Sequence, residues 1–179
     1  MMRPRVLIAE TEIQQRVQEL AAEISHDYAG THITLVGILK GAFMFLADLS
    51  RHLQVTSSID FMSVSSYGMA TTSSGAVRVL MDVRQSVEGR HILVVEDIVD
   101  TGLTLHYLLE LLATREPASL RTCALVRKKE RHELDVPIDY LGFDIPDAWV
   151  VGYGLDYREL YRSLPYIGVI DPDDVSAAD

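Results

Sequence analysis

The sequence predicts an α/β fold: a mainly parallel, twisted sheet flanked by helices, with a mobile hairpin loop inserted. Three observations carry this. Short runs of branched apolar residues alternate with runs at helical spacing, the element order reads as strand and helix in turn, and nothing repeats at a fixed period. At 179 residues and 48% apolar composition the chain can build one good-sized core, so a single domain is expected over residues 1–179.

The first helix is expected to start at Thr11, with Gln14 three residues on as the partner in a capping box. It would bury Ile13, Val17, Leu20 and Ile24 and stop at Gly30. Residues 33–39 are short, branched and apolar, as in a strand buried on both faces, and Lys40-Gly41 then turns into a second helix. Residues 57–67 alternate loosely as a strand. The polar stretch 68–75, GMATTSSG, has the length and composition of a mobile loop before strand character resumes at 77–83.

Residues 91–95 form the strand that leads into VVEDIVDTGLT, the run 94–104. The helix after it aligns Leu105, Leu108, Leu109 and Leu112 and ends at Glu116-Pro117. Residues 120–126 are a further buried strand that ends in the basic run RKKERHE. Short strands are expected at 140–143 and 149–153, separated by IPDA. In open parallel sheets ligands lie beyond the carboxyl ends of the strands, and Lys40, the acids at 96–100 and the basic run at 127–131 all fall at such ends.

The run 94–104 carries most of the functional information. Glu96, Asp97 and Asp100 lie within five residues of one another, and such crowding is tolerated when a cation, a proton or strong hydrogen bonds offset the charge. The same corner presents the unpaired amides of a helix N-terminus, from Asp100 through Thr101, Gly102, Leu103 and Thr104, with Asp100 expected to cap the helix. Acids beside an amide cradle suit a magnesium-bound phosphate sugar. No Lys or Arg lies between 94 and 104, so counter-charge would come from the metal and the amides.

The formal charge of −10 opposes nucleic acid and anionic membrane surfaces as partners. One cysteine, Cys123, lies in an apolar run and has no internal partner. With no signal-like N-terminus and no run of about 18 apolar residues, a cytoplasmic protein is expected.

The run 94–104 resembles the phosphoribosyl pyrophosphate motif of the type I phosphoribosyltransferases. With LVGILKGAFMF, SSYG and GFDIPDAWVVGYGLDYRELYRSLPYIG, in that order along nearly the whole chain, the sequence resembles the bacterial 6-oxopurine (hypoxanthine-guanine) phosphoribosyltransferases, and residues 142–162 carry the purine-specific part. The resemblance implies a core at about 10–140, a small hood from about 1–9 and 141–170, an active-site loop at about 65–77 and an acidic tail at 171–179. It also implies transfer of the 5-phosphoribosyl group from phosphoribosyl pyrophosphate to N9 of hypoxanthine or guanine, giving IMP or GMP and pyrophosphate, with Mg2+ as cofactor and a homodimer or homotetramer as the assembly.

Residue by residue, the resemblance makes Asp100 the general base and gives the phosphoribosyl group to Glu96, Asp97, Asp100, Thr101, Gly102, Leu103 and Thr104. Lys40, after a cis peptide from Leu39, would meet pyrophosphate with Gly41 and Arg162. Ser66 and Tyr67 would belong to a closing lid, and Lys128, Trp149, Val150 and Asp156 to the purine pocket. Glu96, Asp97 and Asp156 would hold the metal. Leu103 departs from the motif, standing where relatives carry Lys or a polar residue. The bland alternatives are a core position for Trp149 and a surface helix DYRELYR for Asp156 and Arg162. A rival function on the same fold is a catalytically idle regulator that binds RNA or DNA.

Overall fold

The computed structural model describes residues 3–66, 77–131 and 134–171. Two sheets organise the chain. The larger has six strands: β2 (Ile33–Leu39), β3 (Ser57–Ser66), β4 (Val77–Met81), β5 (His91–Val99), β6 (Ser119–Lys128) and β7 (Tyr140–Ile145), in the order β4-β3-β2-β5-β6-β7. All pairs are parallel except β3 with β4. The smaller sheet joins both ends of the chain: β1 (Arg5–Ile8), β8 (Val150–Val151) and β9 (Ile167–Val169), all antiparallel.

The central strands are apolar at nearly every position because both faces are covered. Alternation sends Leu35, Leu93, Val95 and Cys123 to one face, against α1 (Glu10–Asp27) and α2 (Phe43–His52), and Val36, Ile92, Val94 and Ala124 to the other. There α3 (Leu103–Ala113) contributes Leu105, Leu108 and Leu112. The helix-facing residues Ile13, Val17, Leu20 and Ile24 are fully buried, as their spacing predicts.

From β2 the chain order runs outward to β3 on one side, while β5, β6 and β7 build the other. The crevice between the carboxyl ends of β2 and β5 is therefore the topological switch point, where ligands bind in open α/β sheets. Lys40-Gly41 leaves one of those strands and the acidic run leaves the other.

Several boundaries differ from expectation for local reasons. Helix α1 starts at Glu10, with Ala9 preceding it. Glu12 Oε2 accepts the Ala9 amide proton at 2.9 Å, while Gln14 donates to Asp48 across to α2 at 3.0 Å, so Thr11 and Gln14 do not form the box. Strand β5 continues through the acids because Glu96, Ile98 and Val99 stay paired with β6. Helix α3 follows Gly102 at φ 85°, with no side chain capping it, so Asp100 is not its cap. Strand β7, which the sequence reading divides between core and hood, is the edge strand of the main sheet.

Residues 156–162 form no helix. With the preceding 152–155 they fold into turns closed by bridges Gly152–Leu155 and Tyr157–Leu160, with Tyr153, Arg158, Glu159 and Tyr161 at positive φ.

Candidate active site

Three corners of the main sheet meet at the switch point. The first is the β2–α2 turn. The Leu39–Lys40 peptide is cis, and Gly41 lies so close to β5 that a Cβ there would stand 1.7 Å from Asp97 Oδ2. On its other side, a Cβ on Gly154 would stand 2.0 Å from the Gly41 carbonyl oxygen, and Gly154 has φ +101°. Asp97, Gly41 and Gly154 are thus stacked with no room for a methyl group.

The segment after Gly154 closes over this stack. Arg162 donates to the Gly154 carbonyl at 2.8 Å and pairs with Asp156 at 2.8 Å and Glu159 at 3.2 Å. Glu159 also accepts from Lys40 Nζ at 3.0 Å, and its own amide donates to Asp156 Oδ2 at 2.8 Å. Lys40, Asp97, Asp156 and Arg162 are therefore on one side of the crevice, with Glu159 between its two cations. The sequence reading did not single out Glu159 or Gly154. Their signal, a charge in DYRELYR and a glycine in GYGLDY, becomes legible only once those turns are closed.

The second corner is β5–α3. Side chains alternate along a strand, so adjacent Glu96 and Asp97 turn to different sides. Glu96 is buried and, with Asp100, Thr101, Gly102 and Thr104, lines a cavity of about 210 Å3 at the start of α3. Gly102 has to be glycine: its φ is positive, and a Cβ would lie 2.9 Å from the Leu134 carbonyl oxygen. The first-turn amides of α3 have no carbonyl within the helix to bind and face this end. Leu103 turns outward, 41% exposed, which leaves its backbone as its contribution to the corner.

Two carboxyl oxygens here, Glu96 Oε2 and Asp100 Oδ1, are buried without a hydrogen-bond partner. Burial raises the Glu96 carboxyl well above the ordinary range, reinforced by the charge of Asp97. Burial likewise lifts Asp97 to about 6. Its own amide, that of Ile98 and the charge of Arg162 offset this, and Asp156 adds to it. Hard oxygen donors whose charge is opposed by burial suit magnesium, which binds through one or two carboxylates and keeps several waters. Among the described residues no three acidic, His or Cys side chains converge as a preformed cluster, in keeping with Glu96 and Asp97 facing different ways.

The third corner is the end of β6. Lys128 is the last residue of that strand, rather than a member of the polar loop, and is only 7% exposed. Its Nζ lies 3.5 Å from Asp100 Oδ2 and 3.2 Å from Asp147 Oδ1. Arg131 completes a ring of alternating charge, 3.4 Å from Asp100 Oδ2 and 3.0 Å from Asp147 Oδ2. The sequence reading gives Arg131 only a place in the basic run and Asp147 only a place in IPDA. Val150 is buried in β8, whereas Trp149 is 55% exposed with Tyr157 edge-on at 6.1 Å, so Trp149 is not a core residue. Ser66 ends β3, and Tyr67 with the rest of the expected loop through 76 lies outside the described residues, as do 172–179 of the acidic tail.

Comparison with known proteins agrees with this geometry. The family model described as Phosphoribosyl transferase domain matches residues 8–158. The chain is 51% identical to the hypoxanthine-guanine phosphoribosyltransferase of Bacillus subtilis (strain 168), covering 94% of this chain and 93% of that one. It is 47% identical to the hypoxanthine phosphoribosyltransferase of Salmonella typhimurium, covering 92% and 94%. A crystal structure of a Bacillus anthracis hypoxanthine-guanine phosphoribosyltransferase, with a HEPES molecule in its active site, superposes with a TM-score of 0.90 at 43% identity, covering 94% of this chain and all of that one. The chain therefore belongs to the phosphoribosyl transferase family, and its relatives along nine-tenths of its length are hypoxanthine-guanine phosphoribosyltransferases.

Proposed function

We propose that this chain is a purine salvage enzyme that transfers the 5-phosphoribosyl group of phosphoribosyl pyrophosphate to N9 of hypoxanthine or guanine, releasing pyrophosphate. The observation that carries this reading is the pairing of Asp100 and Lys128. A carboxylate with one buried, unpartnered oxygen stands beside a nearly buried ammonium at the mouth of a cavity made of helix-start amides.

In this reading the Thr101–Thr104 backbone and hydroxyls take the 5-phosphate at the start of α3, where the helix dipole favours an anion. Glu96 and Asp97 take the ribose hydroxyls. Magnesium would be held, directly or through water, by Asp97 and Asp156 on one side of the crevice or by Glu96 on the other, and would supply positive charge to a substrate bearing several negative ones. Lys40, Gly41 and Arg162 receive the pyrophosphate. Its departure ahead of N9 attack leaves an oxocarbenium-like sugar, so holding the departing anion in place lowers the barrier most.

Asp100 takes the N7 proton as N9 attacks. Lys128 donates to O6, and the exposed face of Trp149 stacks on the base beside the Val150 backbone. A donor fixed against O6 disfavours adenine, whose amino group would face it as a second donor. Ser66 and Tyr67 would close over the site and exclude water from the cation.

A nucleic-acid-binding regulator on this fold has no support, since the relatives over most of the chain are named as enzymes. No described helix is long and apolar enough to cross a membrane, and a cytoplasmic location fits the unpaired, buried Cys123. A dimer or tetramer fits the exposed Ile59, Leu80 and Met81 at the β3–β4 edge.

Initial rates with phosphoribosyl pyrophosphate and each of hypoxanthine, guanine, xanthine and adenine, with and without magnesium, test the assignment. Magnesium-dependent IMP or GMP formation is expected, with adenine a poor substrate. Failure to release pyrophosphate with any 6-oxopurine would end this reading.

A further inference from the structure

The geometry points to Asp147 as a positioning residue that aims Lys128 at the purine and keeps it from closing on Asp100. This inference rests on the phosphoribosyl-transfer reading above.

An ammonium on a flexible four-carbon stem has no direction of its own, and one that is almost entirely buried needs a carboxylate partner. Lys128 has two in reach. Asp147 Oδ1 is the nearer, a hydrogen bond of 3.2 Å, and Asp100 Oδ2 is the looser contact at 3.5 Å. The placement follows from sheet register: Lys128 pairs with Ile145 in β7, so the chain that leaves β7 carries Asp147 past the ammonium. The second oxygen, Asp147 Oδ2, is braced by Arg131 Nε at 3.0 Å, which fixes the carboxylate itself.

The arrangement settles which contact can exchange. A neutral acceptor such as a purine O6 can replace the long contact to Asp100, leaving Oδ2 of that carboxylate to Arg131 and its unpartnered Oδ1 to accept a proton, while Asp147 retains the charge of Lys128. Without Asp147 the whole charge of Lys128 falls on Asp100, the group proposed to act as base. Asp147 therefore serves both recognition of the 6-oxo group and availability of the base, without touching the reacting atoms.

The test is steady-state kinetics on the full chain. Parent turnover of hypoxanthine is measured first, because its absence would overturn the phosphoribosyl reading and this inference together. Given turnover, Asp147→Ala is expected to raise KM for hypoxanthine about tenfold or more, leave KM for phosphoribosyl pyrophosphate within about twofold, and narrow the preference for hypoxanthine over adenine. In a Lys128→Ala background the same substitution should add little, whereas in an Arg131→Ala background most of its effect should persist. Equal rises in both KM values, additivity with Lys128→Ala, or an effect lost only with Arg131→Ala would each overturn the inference. If the alanine variant does not fold, the isosteric Asp147→Asn decides: a raised KM for hypoxanthine alone supports it, and unchanged kinetics sink it.

Discussion

The two ends of the main sheet each carry a hollow, and they are opposites. The one at the amino ends of β2 and β3 is the larger, about 700 Å3, and is lined by such residues as His26, Thr31, His32 and Gln54. Its polar groups are used locally: Ser25 accepts the Gln54 amide proton at 2.9 Å, and His32 meets Ser58 at 3.1 Å. None of its lining residues has a buried side-chain nitrogen or oxygen without a partner. The one at the carboxyl ends is about 210 Å3, yet it holds two unpartnered carboxyl oxygens. Size does not locate the chemistry here. Unmet hydrogen-bonding and charge demand does, because a buried polar group left without a partner costs about 1–3 kcal/mol and is kept where a ligand supplies the partner.

The contrast is sharpest at Asp100. Asp100→Ala should lower kcat by roughly 10²–10⁴, and Asp100→Asn, which keeps the shape but cannot take the proton, should fall as far. Parent-like turnover by Asp100→Asn, measured as pyrophosphate release, would remove the base from this end of the sheet.

The next largest effect concerns stability and runs opposite to activity. Because folding raises both carboxyls, the folded chain holds protons that the unfolded chain has released as pH climbs from about 4 toward 6. Stability of the free protein therefore falls across that window for Asp97, keeps falling above it while Glu96 still holds its proton, and stays lowered beyond. The double variant Glu96→Gln with Asp97→Asn lacks this penalty. It should melt about 5 °C above the parent at pH 8, with the advantage gone below pH 4, while turning over no substrate. A lower melting temperature at pH 8 would show that the acids stabilise the free protein.

A smaller effect is expected at Glu159, whose carboxylate lies on Lys40 and Arg162, the cations proposed to receive pyrophosphate. The ion pair with Lys40 is exposed and screened by solvent, so its loss costs the fold little. Glu159→Gln should lower KM for phosphoribosyl pyrophosphate by about twofold to threefold, most visibly at low salt. A raised KM would mean that the carboxylate assists binding by holding Lys40 and Arg162 in place instead. The smallest effect belongs to the other hollow: His32→Ala should leave kcat and both KM values unchanged, and a loss of turnover there would break the comparison.

What the sequence made legible follows the range of the forces involved. The bounds of β2 and the buried face of α1 come from local patterning, and the acidic corner from composition within a single run. The capping role expected of Asp100 failed because Gly102 is held at positive φ beside the Leu134 carbonyl, a contact from a distant loop. The charges of 156–162 stand at helical spacing, but Arg162 on Gly154 and the Glu159 amide on Asp156 stabilise turns instead. Asp147 was invisible as the shared partner of Lys128 and Arg131 because the register between β6 and β7, which no local pattern specifies, brings them together.

The close stacking of Gly154 on Gly41 has a consequence for biosynthesis. The Gly41 turn, made before most of the sheet, is completed by a segment synthesised after all six strands of that sheet, so a nascent chain can have its whole main sheet emerged and still lack the arginine-bearing wall of its crevice. Products terminated before Arg162 would lack that wall, together with β9 and the buried Ile167, and should draw nothing from the cell's supply of the sugar donor.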